Sequence, residues 1–267
     1  MLINRRDFIA ACGACLLALP AVKAAKARFI LGIGTYTYRG VTVDEMIERL
    51  VALKIRHIEL SSPDHMLPRV KPESIPDLRA KLNRAGIMPL SYYCGTIKTE
   101  DDIARTVQVA QALGARHVSG DAKSDALKMI DARFSRERLT FGIHNHWVRG
   151  RRFDYESPED MLRALAGLSK SVGVTMDTGH MASCGYDPVE ALAKLRKHLM
   201  AVHLKDVERS GDDKNVVLGT GIAKSAAVID ALKRQGFKGL VAIEYEEGKD
   251  PQADVARCVE FARKLMK

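Results

Sequence analysis

The sequence predicts an α/β protein, a (β/α)8 TIM barrel in a single domain. Eight short apolar or β-branched runs recur about every 30 residues, helical patterns with recognisable ends fill the gaps, and no low-complexity or Pro/Gly/Ser linker divides residues 25–267. Strand, helix, strand repeated eight times implies parallel strands joined by right-handed crossovers, and eight such units close a barrel. A doubly wound open sheet is the alternative. It usually needs fewer strands, and no Gly-x-Gly-x-x-Gly follows the first run; Gly32-x-Gly34 lies within that run and carries no weight as a nucleotide motif.

The runs begin near Phe29, Ile55, Ile87, Ala115, Leu139, Val172, Leu199 and Leu240. Thr42 with Glu45 makes a capping box ahead of Met46, Ile47 and Leu50. Ser157-Pro158 and Asp187-Pro188 each place an N-cap and an N1 proline, with Asp160 and Glu190 at N3. Gly86, Gly114 and Gly236 fall where helices stop and strands follow.

Residues 1–24 read differently from the barrel. Arg5-Arg6, Phe8 two positions later, a weakly apolar stretch and the small-residue zone Val22-Lys23-Ala24 resemble a twin-arginine export signal. The apolar run of about 14 residues is short of the roughly 18 to 20 that span a bilayer, so a cleaved signal and a periplasmic location are expected, with membrane anchoring if cleavage fails. Cleavage would carry away Cys12 and Cys15, leaving Cys94, Cys184 and Cys258. Three cysteines do not make a disulfide framework and read as small buried apolar residues; a Cys94–Cys184 bridge is not expected.

Composition excludes disorder, collagen and a disulfide miniprotein: 46% of residues are hydrophobic and 28% charged. The net charge of +9 falls to about +7 without residues 1–24 and is not gathered into a nucleic-acid footprint. The densest basic cluster, Arg149-Gly150-Arg151-Arg152, reads as a solvated loop or a contact for an anionic substrate.

In a barrel of this kind the active site is built at the C-terminal ends of the strands. Here those ends are polar: Glu59 on the second run, His144-Asn145-His146 on the fifth, Asp177 and then His180 on the sixth, His203, Lys205 and Asp206 on the seventh, Glu244 and Glu246 on the eighth. Strand alternation puts His144 and His146 on one face with Asn145 on the other, and pairs His203 with Lys205 and Glu244 with Glu246. Imidazoles and carboxylates converging from neighbouring strands suit one divalent metal ion, Mn2+ or Zn2+ foremost, then Co2+, Fe2+ or Mg2+. Calcium prefers all-oxygen sites.

Together, Ile58-Glu59-Leu60, Asp177-Thr178-Gly179-His180 with Gly185-Tyr186-Asp187-Pro188, His203-Leu204-Lys205-Asp206, Leu218-Gly219-Thr220-Gly221 and Ile243-Glu244-Tyr245-Glu246 carry a resemblance. From Phe29 to the C-terminus the chain resembles the xylose isomerase-like superfamily, which includes sugar isomerases and epimerases, inosose dehydratases and endonuclease IV. The resemblance implies a metal held by Asp177, His203, Glu244 and a strand-five Glu. Here His144 takes that Glu's place, either ligating instead of it or leaving three protein ligands plus water.

The implied chemistry is proton abstraction next to a metal-polarised sugar carbonyl. His144, His146, Glu244 and Lys205 are its catalytic candidates, and Glu59, His180, Asp206 and Trp147 the substrate-contacting or supporting ones. Asp206 is expected to orient a His or Lys. A sugar isomerase or epimerase is the leading expectation. A lyase or hydrolase of exported 3-keto-glycosides and a noncatalytic sugar-binding module are the alternatives. The partners expected are a small sugar substrate and the twin-arginine export machinery, with no nucleic acid; a homo-oligomer is compatible with the sequence. The loop from Gly211 to Gly221 reads as a lid or as a surface turn.

Overall fold

The computed structural model describes residues 27–61, 72–247 and 251–267. The twin-arginine segment therefore lies outside the described residues. Eight parallel strands close into a barrel in sequence order: β1 Ile30–Gly34, β2 His57–Ser61, β3 Met88–Ile97, β4 His117–Ala122, β5 Thr140–His144, β6 Val172–Asp177, β7 Leu199–Leu204 and β8 Leu240–Ile243. β1 pairs with β8, Ile30 to Ile33 lying against Leu240 to Ile243, which closes the ring and leaves no sheet edge.

Around it run α1 Val43–Ala52, α2 Ile75–Arg84, α3 Glu100–Leu113, α4 Ser124–Glu137, α5 Pro158–Ala164, α6 Thr178–Ser183, α7 Pro188–Leu195, α8 Ser225–Gln235 and α9 Gln252–Met266. The helices start and stop where their caps dictate. Reciprocal capping boxes open α1 at Thr42/Glu45 and α5 at Ser157/Asp160, and the Asp187 side chain accepts the Val189 N–H at α7. A third box, Thr99/Asp102, opens α3. Gly114 and Gly236 end α3 and α8 in the left-handed region, where no Cβ is penalised.

The core lies between the barrel and its helices. β6 is buried at every position, because its inner face fills the barrel and its outer face meets helices. Gly32 and Gly34 serve close approach: a Cβ at Gly32 would come within 2.6 Å of the His57 carbonyl oxygen, and one at Gly34 within 2.5 Å of Glu244 Oε1. Cys94, Cys184 and Cys258 are free thiols. Among the described residues no helix is long and apolar enough to cross a membrane.

Candidate active site

The strand ends open into a cavity of about 970 Å3, lined among others by Tyr93, His144, His146, Trp147, Lys205 and Glu244. Its floor is organised by Asp177, which is both the last residue of β6 and the N-cap of α6. Oδ1 accepts the His180 N–H at 2.8 Å, so Oδ2 is turned toward the cavity. Asn145, on the opposite face from His144, fixes this junction from the side: its Oδ1 accepts the Asp177 N–H at 2.8 Å and its Nδ2 donates to the Asp177 carbonyl at 3.0 Å.

Four donor atoms meet at the floor. His203 Nδ1 lies 2.9 Å from His144 Nε2 and 3.4 Å from Glu244 Oε2, while His144 Nε2 lies 3.8 Å from Asp177 Oδ2. The other His203 nitrogen, Nε2, is 2.5 Å from Glu59 Oε1, and Glu59 Oε2 accepts from the Ser91 and Ser119 hydroxyls. Glu59 thus holds the His203 ring with Nδ1 facing the cluster, the place a carboxylate would take behind an imidazole that ligates a metal.

The charges are concentrated. Burial pulls the His203 imidazole down, but the Glu244 and Glu59 carboxylates outweigh it and hold it well above its usual range. Burial likewise works against the Lys205 ammonium, yet Asp177, Glu246 and Glu244 keep it protonated. Glu244 is lowered despite burial by His203 and Lys205, whereas burial leaves Asp177 raised. Burial, reinforced by neighbouring cations, keeps His144 and His180 well below the usual histidine range and therefore neutral.

These residues fit a divalent cation. Asp177 Oδ2 is buried without a hydrogen-bond partner, the His144 imidazole is neutral, and ligand atoms of His144, Asp177 and His203 lie within 4.8 Å of one another. Buried carboxylates at Glu59, Asp177 and Glu244 outnumber the two cationic groups set among them, His203 and Lys205, so positive charge is in demand. His144, Asp177, His203 and Glu244 would hold the ion through two nitrogens and two oxygens, a set suited to zinc or manganese.

Other expected residues fall around this floor. His180 is buried, its Nε2 3.4 Å from Lys205 Nζ. His146 stands higher, 3.0 Å from the Tyr93 hydroxyl and 3.7 Å from Asp121 Oδ2, stacked on Phe153 at 5.2 Å between ring centres. Trp147 is half-buried at the rim, with the Arg149 guanidinium 6.0 Å over its ring.

Asp206 departs from expectation. Alternation turns it away from His203 and Lys205, and its carboxylate instead accepts the N–H groups of Val207, Gly219, Gly221 and Ala223 and the Ser225 hydroxyl. It therefore fixes the chain leading into α8. Upstream, the loop that read as a lid or a turn is tied to the rim: Val207 bridges Asn215, whose Oδ1 accepts the Glu246 N–H at 3.1 Å.

Sequence reasoning did not single out Tyr93, Asp121, Ser91 or Ser119. Asp121 carried a signal, a carboxylate at the polar end of the fourth run. The serines carried none, because small hydroxyls are common in strands and only the register of β2, β3 and β4 brings both to Glu59.

The comparisons agree with this architecture. L-ribulose-5-phosphate 3-epimerase UlaE of Escherichia coli is 33% identical over 92 residues, covering 34% of this chain and 32% of that protein. The chain spans about a third of the length of the curated relatives it matches. Among solved structures, 3-keto-D-glucoside 4-epimerase YcjR of E. coli matches with a TM-score of 0.71 at 15% identity, over 88% of this chain and 99% of that one. The IolI protein with a bound zinc atom matches with a TM-score of 0.73 at 17% identity, over 89% and 96%. At such identities these structures show a shared fold. The family described as Xylose isomerase-like TIM barrel matches residues 47–265, nearly the whole described barrel with its polar strand ends, and the chain belongs to that family.

Proposed function

We propose that the protein is a divalent-metal-dependent sugar isomerase or epimerase that removes a proton next to a substrate carbonyl. The observation that carries this reading is the convergence of His144 Nε2, Asp177 Oδ2, His203 Nδ1 and Glu244 Oε2 on a buried floor, where Asp177 Oδ2 accepts no hydrogen bond and is met by charge, the Lys205 ammonium at 3.1 Å. The zinc bound by the similar IolI structure supports a metal on this fold. When bound, the ion supplies Lewis-acid polarisation of a carbonyl.

The protein's own groups supply the rest. Glu244 is an ionised carboxylate at the floor, able to accept a proton, and the Lys205 ammonium beside it stabilises developing negative charge. His144 brings no carboxylate, so proton transfer on the other face falls to His146, whose neutral ring is paired with the Tyr93 hydroxyl. Glu59 holds His203, and His180 lies against Lys205.

A second reading, elimination from a 3-keto-glycoside, draws on the same floor. One base on one face suffices for it, and a cavity of about 970 Å3 is at the upper end of small-molecule pockets, roomy for more than one sugar ring. A 3-keto-D-glucoside is what the similar YcjR structure is named for.

Elemental analysis of the purified protein, followed by 1H/2H exchange into a panel of ketoses and 3-keto-glycosides, tests both. Exchange without cleavage supports the isomerase, and release of the aglycone supports elimination. Metal-free protein that exchanges nothing but retains sugar affinity would make it a binding module. Export through residues 1–24 to the periplasm is proposed with this function; cell fractionation of the full chain against an Arg5→Lys/Arg6→Lys variant checks it.

A further inference from the structure

Lys205 is a lysine at the centre of the floor, only 1% exposed. Its ammonium is 3.1 Å from Asp177 Oδ2 and 3.2 Å from Glu244 Oε2, and it is hydrogen-bonded to Glu246 Oε1. The first two oxygens are the carboxylate donors of the metal set. An ammonium and a divalent ion on the same two oxygens repel each other, and a buried site screens that repulsion poorly.

The rest of the lysine is held in place. Thr178 Oγ1 accepts the Lys205 N–H at 3.0 Å and donates to the Lys205 carbonyl at 2.7 Å. Gly179 lies flat on the stem, where a Cβ would come within 2.7 Å of Lys205 Cγ. The Asp177-Thr178-Gly179-His180 turn therefore fixes the lysine's root against the ligand Asp177 and leaves freedom only at its tip. Glu246, with its side chain 26% exposed, offers that tip an alternative partner at the open side of the floor.

We propose that Lys205 is a built-in counter-cation that sets the protein's affinity for its metal. It neutralises Asp177 and Glu244 when no ion is bound, and it shifts its weight onto Glu246 when one enters. The inference rests on the metal site proposed above and adds that the site is tuned for weak, exchangeable binding.

Calorimetric titration of the full chain with Mn2+ and with Zn2+ tests it on the wild type, Lys205→Met, Lys205→Gln and Glu246→Gln. Both lysine variants should bind at least about tenfold more tightly, and the metal-free melting temperature should fall while the metal-induced rise grows. Glu246→Gln should bind about tenfold more weakly, because the ammonium then rests on the two ligand carboxylates alone. Lysine variants that bind no more tightly than wild type overturn the proposal. If neither folds, Glu246→Gln decides, and affinity equal to wild type overturns it. Wild-type protein that binds neither ion would instead refute the metal site itself.

Discussion

Asp206→Ala should be among the most destabilising single substitutions in the protein while leaving metal binding nearly intact. The buried carboxylate accepts from Val207 N at 3.0 Å, Ala223 N at 2.9 Å, Gly219 N at 2.8 Å, Gly221 N at 3.3 Å and Ser225 Oγ at 2.9 Å. Gly219 and Gly221 are exposed or half-exposed and regain water when the acceptor is removed; Val207, Ala223 and Ser225 are buried and do not. Three groups left unsatisfied at about 1–3 kcal/mol each give roughly 4–6 kcal/mol after partial relaxation, above the usual range for a point substitution. Asn at this position keeps one acceptor oxygen and turns an amide N–H at other donors, so about half that loss is expected. Urea denaturation followed by circular dichroism measures both, and hydrogen exchange at Gly219, Gly221 and Ala223 locates the effect. An Ala variant within about 1 kcal/mol of wild type, with those amides as protected as before, would refute the reasoning. A large change in metal affinity without a stability loss would restore the sequence expectation that Asp206 orients His203 or Lys205.

Glu59→Gln should weaken divalent-metal affinity by about 10- to 100-fold, because His203 loses the carboxylate that holds its ring; calorimetric titration reads the change, and unaltered affinity would detach Glu59 from the site. The His117 ring, bonded to Thr140 and Thr175 and lowered to about 4 by burial, stays neutral in the folded protein while the unfolded chain protonates near 6.5. Its contribution is therefore fully present above about pH 6.5 and declines by about 3 kcal/mol as the pH falls toward 4; a His117→Gln variant with the same pH slope of stability over that window would contradict this. Gly142→Ala should fail to fold or lose several kcal/mol, since the new Cβ would stand 2.2 Å from Thr175 Oγ1 and 2.8 Å from Thr175 N; a melting temperature near wild type would show that β5 and β6 can separate there.

What the sequence exposed and what it hid divide along a physical line. The barrel and its floor were legible because parallel strands buried on both faces read as apolar runs, so a polar residue ending such a run stands out. The same alternation that paired His203 with Lys205 also turns Asp206 outward; the misreading of Asp206 came from taking its neighbourhood in sequence for a neighbourhood in space. Ser91, Ser119 and Tyr93 were hidden for the opposite reason. They lie within a strand that runs on to Ile97 with shifted register, or on β4, and their partners Glu59 and His146 are fixed by strand pairing and register, Ser91 beside Glu59 on the next strand and the others one strand further.

The position of His144 shows why the floor is built as it is. A carboxylate there would add a further buried negative charge to Glu59, Asp177 and Glu244, which already outnumber Lys205 and His203. A neutral imidazole keeps a ligand atom at that place without adding to the excess. It lies 2.9 Å from His203, whose charge is fixed by Glu59 and Glu244 on its two sides. With an imidazole on strand five, the floor can keep both its lysine and the donor atoms proposed for a metal. The cost is chemical: β5 offers no carboxylate opposite Glu244, so reactions needing a base on each face depend on His146 and Tyr93, and reactions needing one base do not. His146→Ala should therefore abolish epimerisation while sparing exchange on the Glu244 face, a separation that 1H/2H exchange into a ketose resolves directly; equal loss of both would place proton transfer on a single shared group.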